Sequence, residues 1–449
     1  MEKFCEAEFY CDVAVCGGGV AGALTAIASA LNGAETVLIE KELFLGGDNY
    51  YAGVSSILTF HSKQGKKIVD GIPQKIIDNL VKNGTSKGHV ADIVGVAGSV
   101  TPVCVSAFSL ELYKMCAKAG VKVLNGFSLF EAEIDSSSKN IKTAYLKNKD
   151  RYFAIHPKIW VDASGCGLLS KLCGGKFIDK NDDEDMPATL IFHVADVNIE
   201  KIKDYMLNNR DEFHSETRFD LLDNSVLLGC SGFFSTIKKA ELTLKRDRVL
   251  FYQTLSPTEV SINMSRIPSF FATGPSEDCY AFAMSQICEI FDFLKRDVVG
   301  FENSHISYIF PKMGLREQGR VEGKYILSKD DVSNGHRFED EIAYGGFPID
   351  IHKDSDSGLI CSSLEGEGFY GIPYRVLVSN SFDNLFTVGK CLSADFESHA
   401  SVRVQASLMA LGEATGTASA LCVKQNKKPE EIEVKELRYL LRKNGACIM

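Results

Sequence analysis

Three kinds of pattern are missing from this sequence, and each absence excludes a class of protein. No segment reaches the ~18 consecutive apolar residues of a membrane span, and the first residues, MEKFCEAEFY, lack the basic and apolar stretches of a signal peptide. Basic residues are outnumbered, since 49 Lys and Arg stand against 59 Asp and Glu. The resulting net charge of −10 and the lack of a long basic run argue against nucleic acid as a partner. We therefore expect a cytoplasmic protein that contacts neither membranes nor nucleic acid.

The 14 cysteines form no recognisable framework. They are scattered along the chain, with no C-x-x-C pair and no cluster at the spacing of metal ligands. We therefore expect neither a disulfide scaffold nor a metal site. The chain of 449 residues is long enough to bury a large core, and its length favours two domains.

The strongest positive signal lies near the N-terminus. A short β-branched run at residues 13–16 leads directly into Gly17-Gly18-Gly19-Val20-Ala21-Gly22, which fits the pattern G-x-G-x-x-G. An alanine-rich helix is predicted over 21–32, and a second strand over 36–39 ends on Glu40. Because strand, glycine motif, helix, strand and acid occur in that order, the segment predicts a dinucleotide site in a Rossmann-like fold.

Each glycine of the motif has a separate physical role in such a site. Gly17 allows the tight turn out of the strand, Gly19 lets a pyrophosphate approach the backbone, and Gly22 lets helix and strand pack closely. The helix N-terminus offers unpaired N–H groups to the phosphates. Glu40, 23 residues after Gly17, stands where a carboxylate accepts hydrogen bonds from the adenosine ribose. This stretch alone is equally compatible with NAD and FAD.

Later segments favour FAD. A second glycine pair, Gly46-Gly47, follows the ribose acid closely and is typical of FAD proteins. An apolar strand over 159–161 ends in Asp162-Ala163-Ser164-Gly165, a turn that lies near the cofactor in many flavoproteins, although Asp162 can equally form a local turn. No second strand, G-x-G-x-x-G and helix unit occurs. We therefore expect no dedicated NAD(P)H domain, and a separate electron carrier or transient NAD(P)H as the redox partner.

Further motifs fill the C-terminal third, at residues 314–323, 344–352, 389–394, 401–404 and 409–418. They read GLREQGRVEG, YGGFPIDIH, GKCLSA, SVRV and MALGEATGTA. Together with the N-terminal motif they resemble the FAD-dependent oxidoreductase family, and more distantly the flavoproteins of the fumarate reductase and succinate dehydrogenase superfamily. The resemblance covers about half of the chain. It implies an FAD enzyme whose nucleotide domain is interrupted by a substrate domain.

We therefore predict an α/β protein with a Rossmann-like FAD-binding domain of the glutathione-reductase type and an inserted α+β substrate domain. The FAD domain is predicted over 1–175 and 376–425, the substrate or cap domain over 176–375, and a tail over 426–449. No histidine follows Gly46-Gly47, where covalent attachment occurs in the superfamily, so noncovalent FAD is expected. The predicted FAD contacts are Gly17, Gly19, Val20, Ala21, Gly22, Glu40, Lys41, Gly46, Gly47, Asp162, Gly165, Gly389, Gln405, Ala406 and Ser407.

Four basic residues in these motifs are candidates for catalysis: His352, Arg316, Arg403 and His399. His352 suits an acid or base because imidazole titrates near neutrality, and the alternative is a structural hydrogen bond. Arg316, with Glu317, either clamps a substrate carboxylate or forms a buried ion pair. Arg403 is expected to contact cofactor or fix its loop, and in fumarate-reducing relatives an arginine is the proton donor. The alternative to a catalytic role for His399 is a solvent-exposed position.

The function predicted from these features is an FAD-dependent oxidoreductase that moves a hydride between flavin N5 and a small organic substrate, as a dehydrogenase or a C=C reductase. Two alternatives share the N-terminal motif: a flavin-dependent monooxygenase and a non-catalytic FAD-binding redox sensor. The sequence specifies no oligomeric state.

Overall fold

The computed structural model describes residues 5–135, 137–181, 184–269, 278–352 and 360–449. Its strands are β1 (Ala7–Cys16), β2 (Thr36–Glu40), β3 (Ser56–Leu58), β4 (Val100–Pro102), β5 (Lys122–Asn125), β6 (Ser128–Ile134), β7 (Ile141–Asn148), β8 (Arg151–Asp162), β9 (Phe192–Ala195), β10 (Gly229–Gly232), β11 (Val249–Gln253), β12 (Val260–Ile262), β13 (His305–Ile309), β14 (Glu341–Gly345), β15 (Ile349–Ile351), β16 (Ile360–Ser362), β17 (Tyr370–Pro373) and β18 (Leu385–Thr387). Its α-helices are α1 (Val20–Leu31), α2 (Asp48–Tyr51), α3 (Ile72–Lys82), α4 (Val105–Ala119), α5 (Leu168–Leu172), α6 (Ile199–Asn208), α7 (Phe234–Lys239), α8 (Asp278–Asp297), α9 (Lys329–Ser333), α10 (Phe396–Val402), α11 (Gln405–Gln425) and α12 (Val434–Lys443).

The larger sheet has seven strands and carries the glycine motif at its centre. Its order is β5-β2-β1-β8-β7-β6, and β18 adds to β8. β1 is parallel to both β2 and β8, whereas β7 runs antiparallel to β8. Residues 13–16 of β1 and all of β2 are buried on both faces, as in a parallel sheet covered by helices. This confirms the Rossmann-like α/β fold, and it places the ends of β1 and β8 side by side.

Helices α1 and α11 pack against each other through glycine. A Cβ atom at Gly412 would lie 2.4 Å from the carbonyl oxygen of Ala21, and one at Gly416 would lie 2.1 Å from that of Thr25. The two helices therefore approach as closely as their backbones allow. α11 is the one helix in the described part that is long and apolar enough to cross a membrane, but 89% of its apolar window is buried. It is a core helix of this fold.

A second core forms around a smaller antiparallel sheet. This sheet has the order β10-β11-β12-β9-β13, and its apolar side chains pack with α6 and α8. In the stretch predicted as substrate domain, apolar side chains of 327–351 and 364–378 are buried in the same core as those of α1 and α11. The reason is that β14 and β17 pair with each other under α11 and not with the smaller sheet.

Glu413 gives this core a pH-dependent stability. Its Oε2 accepts a hydrogen bond of 2.9 Å from the amide of Ile72 at the start of α3, while its Oε1 is buried without a partner. Burial raises the pKa of Glu413 to about 7 from an ordinary value of 4.5. The protonated form therefore stabilises the folded state below about pH 4.5, and that contribution is lost as pH rises through about 7.

We predict that the Glu413→Gln variant removes this dependence. The neutral amide keeps the acceptor for Ile72 without a buried charge, so the variant should be more stable than wild type at pH 8 and similar at pH 5. Thermal unfolding at the two pH values measures the effect. Exposed Glu436, replaced by Gln, is the control and should change neither value. Equal pH slopes in wild type and Glu413→Gln would contradict the prediction.

Candidate active site

The glycine loop between β1 and α1 contains both crowded and open positions. A Cβ at Gly17 would lie 2.5 Å from the carbonyl oxygen of Ala163, and one at Gly22 would lie 1.9 Å from that of Gly17. At Gly19, by contrast, the nearest heavy atom would be the Cα of Gly47 at 4.0 Å. Gly17 and Gly22 are therefore required by the protein's own packing, whereas Gly19 borders open space.

That open space lies at the N-terminus of α1, where Val20 and Ala21 begin the helix. Gly19 is the N-cap and provides no side-chain cap, and no acidic residue occupies the first turn. The first amides of a helix have no partner within it and carry partial positive charge. The loop thus has room, free donors and a favourable field for a phosphate group.

Glu40 fixes this loop at the end of β2. Its Oε2 accepts a 2.5 Å hydrogen bond from the amide of Gly18, and its Oε1 accepts one of 2.8 Å from the amide of Glu42. Burial raises the pKa of Glu40, and the two amides oppose that rise. A carboxylate has further acceptor sites, so Glu40 retains acceptor capacity for ribose hydroxyls. Neighbouring Lys41 is exposed.

The second glycine pair lies directly beside the first. The amide of Gly46 donates to the carbonyl of Gly18 over 2.9 Å, and Gly47 caps the short helix α2. In that helix the Asn49 amide group contacts Oε1 of Gln405 at 3.3 Å, at the first residue of α11. Two motifs that are more than 350 residues apart in the sequence therefore meet at one place.

Two buried polar atoms in this region have no partner in the described protein: Asn49 Oδ1 and Ser407 Oγ. Both lie at the junction of α2 with the N-terminus of α11, which Gln405, Ala406 and Ser407 form. The N-cap of α11 is Val404, which has no capping side chain. Unpaired buried polar groups are rare in native proteins and call for a ligand or an ion. This end of α11 is therefore suited to a polar, electron-rich ligand edge.

Asp162 serves the protein's own backbone. Its carboxylate accepts from the amide and hydroxyl of Ser164 and from those of Ser170, at 2.6–3.2 Å. Its carbonyl accepts from Val388, immediately before Gly389. Asp162 thus holds the turn after β8 beside the turn after β18. This agrees with the alternative interpretation in which Asp162 forms a local turn. Gly165 and Gly389, both at positive φ, border the same region, where Lys390 pairs with Asp48 at 2.6 Å.

Two of the four catalytic candidates, His352 and Arg403, contact Asp350, and a third, Arg316, lies near enough for its charge to act on that carboxylate. Nε2 of His352 lies 3.2 Å from Asp350 Oδ2, and Nη2 of Arg403 lies 3.1 Å from the Asp350 carbonyl and 3.5 Å from Oδ2. Burial raises the pKa of Asp350, but His352, Arg403 and Arg316 outweigh that effect and hold the pKa well below its ordinary value. The result is an ionised carboxylate that organises basic groups around it.

His352 is neutral in this setting. Burial lowers its pKa to about 3, and the nearby guanidinium of Arg316 adds to the effect against the opposing charge of Asp350. Since Asp350 accepts a hydrogen bond, the single ring proton is assigned to Nε2, which leaves Nδ1 as an acceptor. Nδ1 is buried without a partner in the described residues. His352 thus donates to Asp350 through Nε2 and offers Nδ1 as an acceptor for a proton or hydrogen bond.

The pairing expected between Arg316 and Glu317 is wrong. Arg316 donates from Nη1 to the carbonyl of Pro187, whereas Glu317 pairs at 2.8 Å with Nε of Arg320. Arg320 also contacts Glu184 at 2.5 Å, so the two acids share one guanidinium. Among the described residues, the guanidinium of Arg316 therefore has no ion pair with a carboxylate.

His399 is fully buried, so its solvent-exposed alternative is also wrong. Nε2 lies 2.7 Å from the carbonyl of Lys390, and burial lowers the pKa of the ring to about 3. His399 therefore fixes the turn that follows Gly389.

Arg246 and Arg266 are two basic residues that sequence reasoning missed, because neither stands in a motif. In the folded protein the charges of both residues help to lower the pKa of Arg316.

Comparison with known proteins agrees with this arrangement. A model of the family "FAD dependent oxidoreductase" matches residues 12–441. The chain belongs to this family. Membership makes it an FAD-dependent oxidoreductase, which confirms the predicted family, enzyme class and cofactor. A search of curated proteins gave no significant match.

This family member is similar to proteins of known structure. A geranylgeranyl bacteriochlorophyll reductase-like protein from Thermoplasma acidophilum is 12% identical, with a TM-score of 0.51 over 97% of this chain and 84% of that chain. A p-nitrophenol 4-monooxygenase from Pseudomonas putida is 10% identical, with a TM-score of 0.47 over 94% and 82%. At such identities the likeness concerns the fold alone.

The residues present fit FAD. The open face at Gly19 and the free N-terminus of α1 suit its pyrophosphate, and Glu40 suits the ribose. The unpaired Ser407 Oγ and the N-terminus of α11 suit the edge of the flavin that gains negative charge on reduction. The basic residues around Asp350 lie next to this end of α11, because Arg403 is the residue before the N-cap of the helix.

Proposed function

We propose that this oxidoreductase moves a hydride between noncovalently bound FAD and a small organic substrate, as a dehydrogenase or a C=C reductase. The observation that carries the proposal is the position of Arg316, His352 and Arg403 beside the N-terminus of α11. When bound, FAD supplies the hydride chemistry, and the protein supplies orientation, charge and proton transfer. Arg403 and Arg316 orient the substrate. In the dehydrogenase direction Nδ1 of His352 accepts the proton or hydrogen bond of the substrate. In the C=C reductase direction Arg316, whose pKa is lowered to about 9, donates the proton that follows the hydride.

The proposal also covers the half-reaction in which the flavin exchanges electrons with a second reactant. The sequence contains one dinucleotide motif, so we propose that a separate carrier or transiently bound NAD(P)H exchanges electrons with the cofactor. The test is anaerobic mixing of the holoprotein with candidate metabolites while flavin absorbance is followed. A substrate should bleach the oxidised protein or restore the absorbance of the reduced protein. Reoxidation by oxygen alone, with a hydroxylated product, would establish the monooxygenase alternative instead.

Replacing His352 with Gln should slow flavin reduction or reoxidation by about 10²- to 10⁴-fold, the usual contribution of a positioned acid or base. Because the His352 pKa is lowered to about 3, the wild-type rate should show no transition of this ring between pH 5 and pH 8. Stopped-flow absorbance measures both quantities. Exposed His305, replaced by Gln, is the matched control. An unchanged rate in His352→Gln would remove His352 from the mechanism.

A further inference from the structure

Residues 310–316, which follow the last strand of the smaller sheet, lie against α2, the short helix that follows the second glycine pair. The amide of Lys312 donates to the carbonyl of Tyr51, at the end of α2, over 3.1 Å. The ammonium of Lys312 pairs with Glu42 and lies 5.0 Å from the centre of the Tyr51 ring. The segment that ends at Arg316 is therefore attached to the part of the chain that borders the glycine loops.

Lys390 makes a second connection between this segment and α2. Its ammonium donates to Oδ2 of Asp48 and to the carbonyl of Leu315, in both cases over 2.6 Å. Asp48 is the first residue of α2, and Leu315 is the residue before Arg316. The Lys390 side chain is 18% exposed, so water competes little for these charge-assisted hydrogen bonds. One ammonium thus joins the start of α2 to the backbone beside Arg316.

The backbone of Lys390 is itself fixed. Its carbonyl accepts a 2.7 Å hydrogen bond from Nε2 of His399, which is fully buried. Two residues earlier, the amide of Val388 donates to the carbonyl of Asp162 over 3.0 Å. The side chain therefore extends from an anchored turn, and a change in the position of either acceptor strains its hydrogen bonds.

The position of α2 depends on what surrounds it, because a helix of four residues is not stable by itself. Gly47, its N-cap, lies closest to the open space at Gly19, where an added Cβ would be 4.0 Å from the Cα of Gly47. The Oδ1 atom of Asn49, in the same helix, has no partner among the described residues. A ligand that fills this space therefore also restrains α2.

We propose that Lys390 is a positioning residue that couples FAD binding to the placement of Arg316. Occupation of the glycine loops restrains α2, Asp48 then holds the Lys390 ammonium, and the ammonium holds the carbonyl next to Arg316. The arginine that orients the substrate is thereby placed when FAD is present, so FAD binds before the substrate. This inference rests on the proposed function for the role of Arg316.

Hydrogen–deuterium exchange of FAD-stripped and FAD-saturated protein tests the coupling without a substrate. In wild type, FAD should slow the exchange of amides in residues 312–317 by at least about fivefold, the lower end of typical couplings between sites. In Lys390→Met this FAD-dependent difference should be lost. Each variant is measured at an FAD concentration that saturates it, as judged by flavin absorbance.

Three further variants separate coupling from a purely structural role. Lys390→Arg keeps a cation with donors for both acceptors, so it should restore the FAD-dependent difference. Exposed Lys427, replaced by Met, is the matched control and should behave like wild type. If thermal unfolding shows that Lys390→Met does not fold, Asp48→Asn decides, because it removes the charge at the other end of the ion pair and should reduce the difference.

The proposal is overturned if FAD leaves the exchange of residues 312–317 unchanged in wild type. It is also overturned if Lys390→Met, or Asp48→Asn in its place, retains the full FAD-dependent difference. Failure of the proposed function has another signature. The predicted exchange pattern, with no metabolite able to change flavin absorbance, would retain the coupling and remove the hydride transfer.

Discussion

A Gly19→Ala variant is expected to fold like wild type and yet lose at least about tenfold in FAD affinity. Gly19 has φ −64°, which any residue adopts, and a Cβ there would lie 4.0 Å from its nearest neighbour in the protein. The same methyl group would occupy the space through which a pyrophosphate approaches the helix N-terminus. Fluorescence titration of FAD-stripped protein measures the affinity, and thermal unfolding of the same sample measures stability.

Gly22→Ala provides the contrast. Its Cβ would lie 1.9 Å from the carbonyl oxygen of Gly17, so this variant should lose stability even without cofactor. The pair separates a glycine required by the ligand from one required by the fold. Wild-type FAD affinity in Gly19→Ala would show that the pyrophosphate does not lie at this loop.

Replacing Arg320 with Met should destabilise the protein by about 3–5 kcal/mol, because two buried carboxylates would lose their shared partner. Arg320 is 2% exposed, and Glu317 and Glu184 contact it at 2.8 and 2.5 Å. Their side chains are 4% and 13% exposed, so water replaces little of the lost interaction. Denaturant unfolding at neutral pH measures the free energy of unfolding.

Two further variants make the cause specific. Adding Glu184→Gln and Glu317→Gln to Arg320→Met should restore much of the stability, since no buried charge then remains unpaired. Arg375→Met removes an exposed arginine that pairs with Asp340 at 2.9 Å, and it should cost no more than about 1 kcal/mol. Equal losses in Arg320→Met and Arg375→Met would contradict the account of this network.

The sequence predicted the nucleotide-binding half of the fold well because its signals are local. The helix predicted over 21–32 is observed as Val20–Leu31, and the strand predicted over 36–39 as Thr36–Glu40. Each of these signals, namely the glycine spacing, the β-branched runs and the end of the helix, is contained within a few consecutive residues. The FAD family follows from such motifs in the right order.

The sequence predicts the apolar strand over 159–161, before Asp162, as a separate short element. The observed strand is continuous from Arg151 to Asp162. β7 pairs with it only as far as Ile155, and β18 begins to pair at Trp160. Pro157 therefore lies where no strand on that side needs its missing N–H, a circumstance that is set by tertiary structure.

The basic site was harder to predict because its contacts join distant segments. The sequence indicated Arg316, His352 and Arg403 through family motifs, but Arg246 and Arg266 lie in stretches without a pattern. An ion pair between Arg316 and its neighbour Glu317 was one of two alternatives, and in the fold that acid pairs with Arg320 instead. Charges that approach one another only in the folded chain leave no spacing for sequence reasoning to detect.

Anaerobic mixing of the holoprotein with a matched set of anionic and neutral metabolites tests the central claim most directly. We predict that at least one anion exchanges a hydride with the cofactor, seen as bleaching of the oxidised flavin or recovery of the reduced one. We also predict that Arg403→Gln slows this exchange while retaining FAD. If the flavin responds to no metabolite in either direction, the claim of hydride transfer between the cofactor and an organic substrate is contradicted.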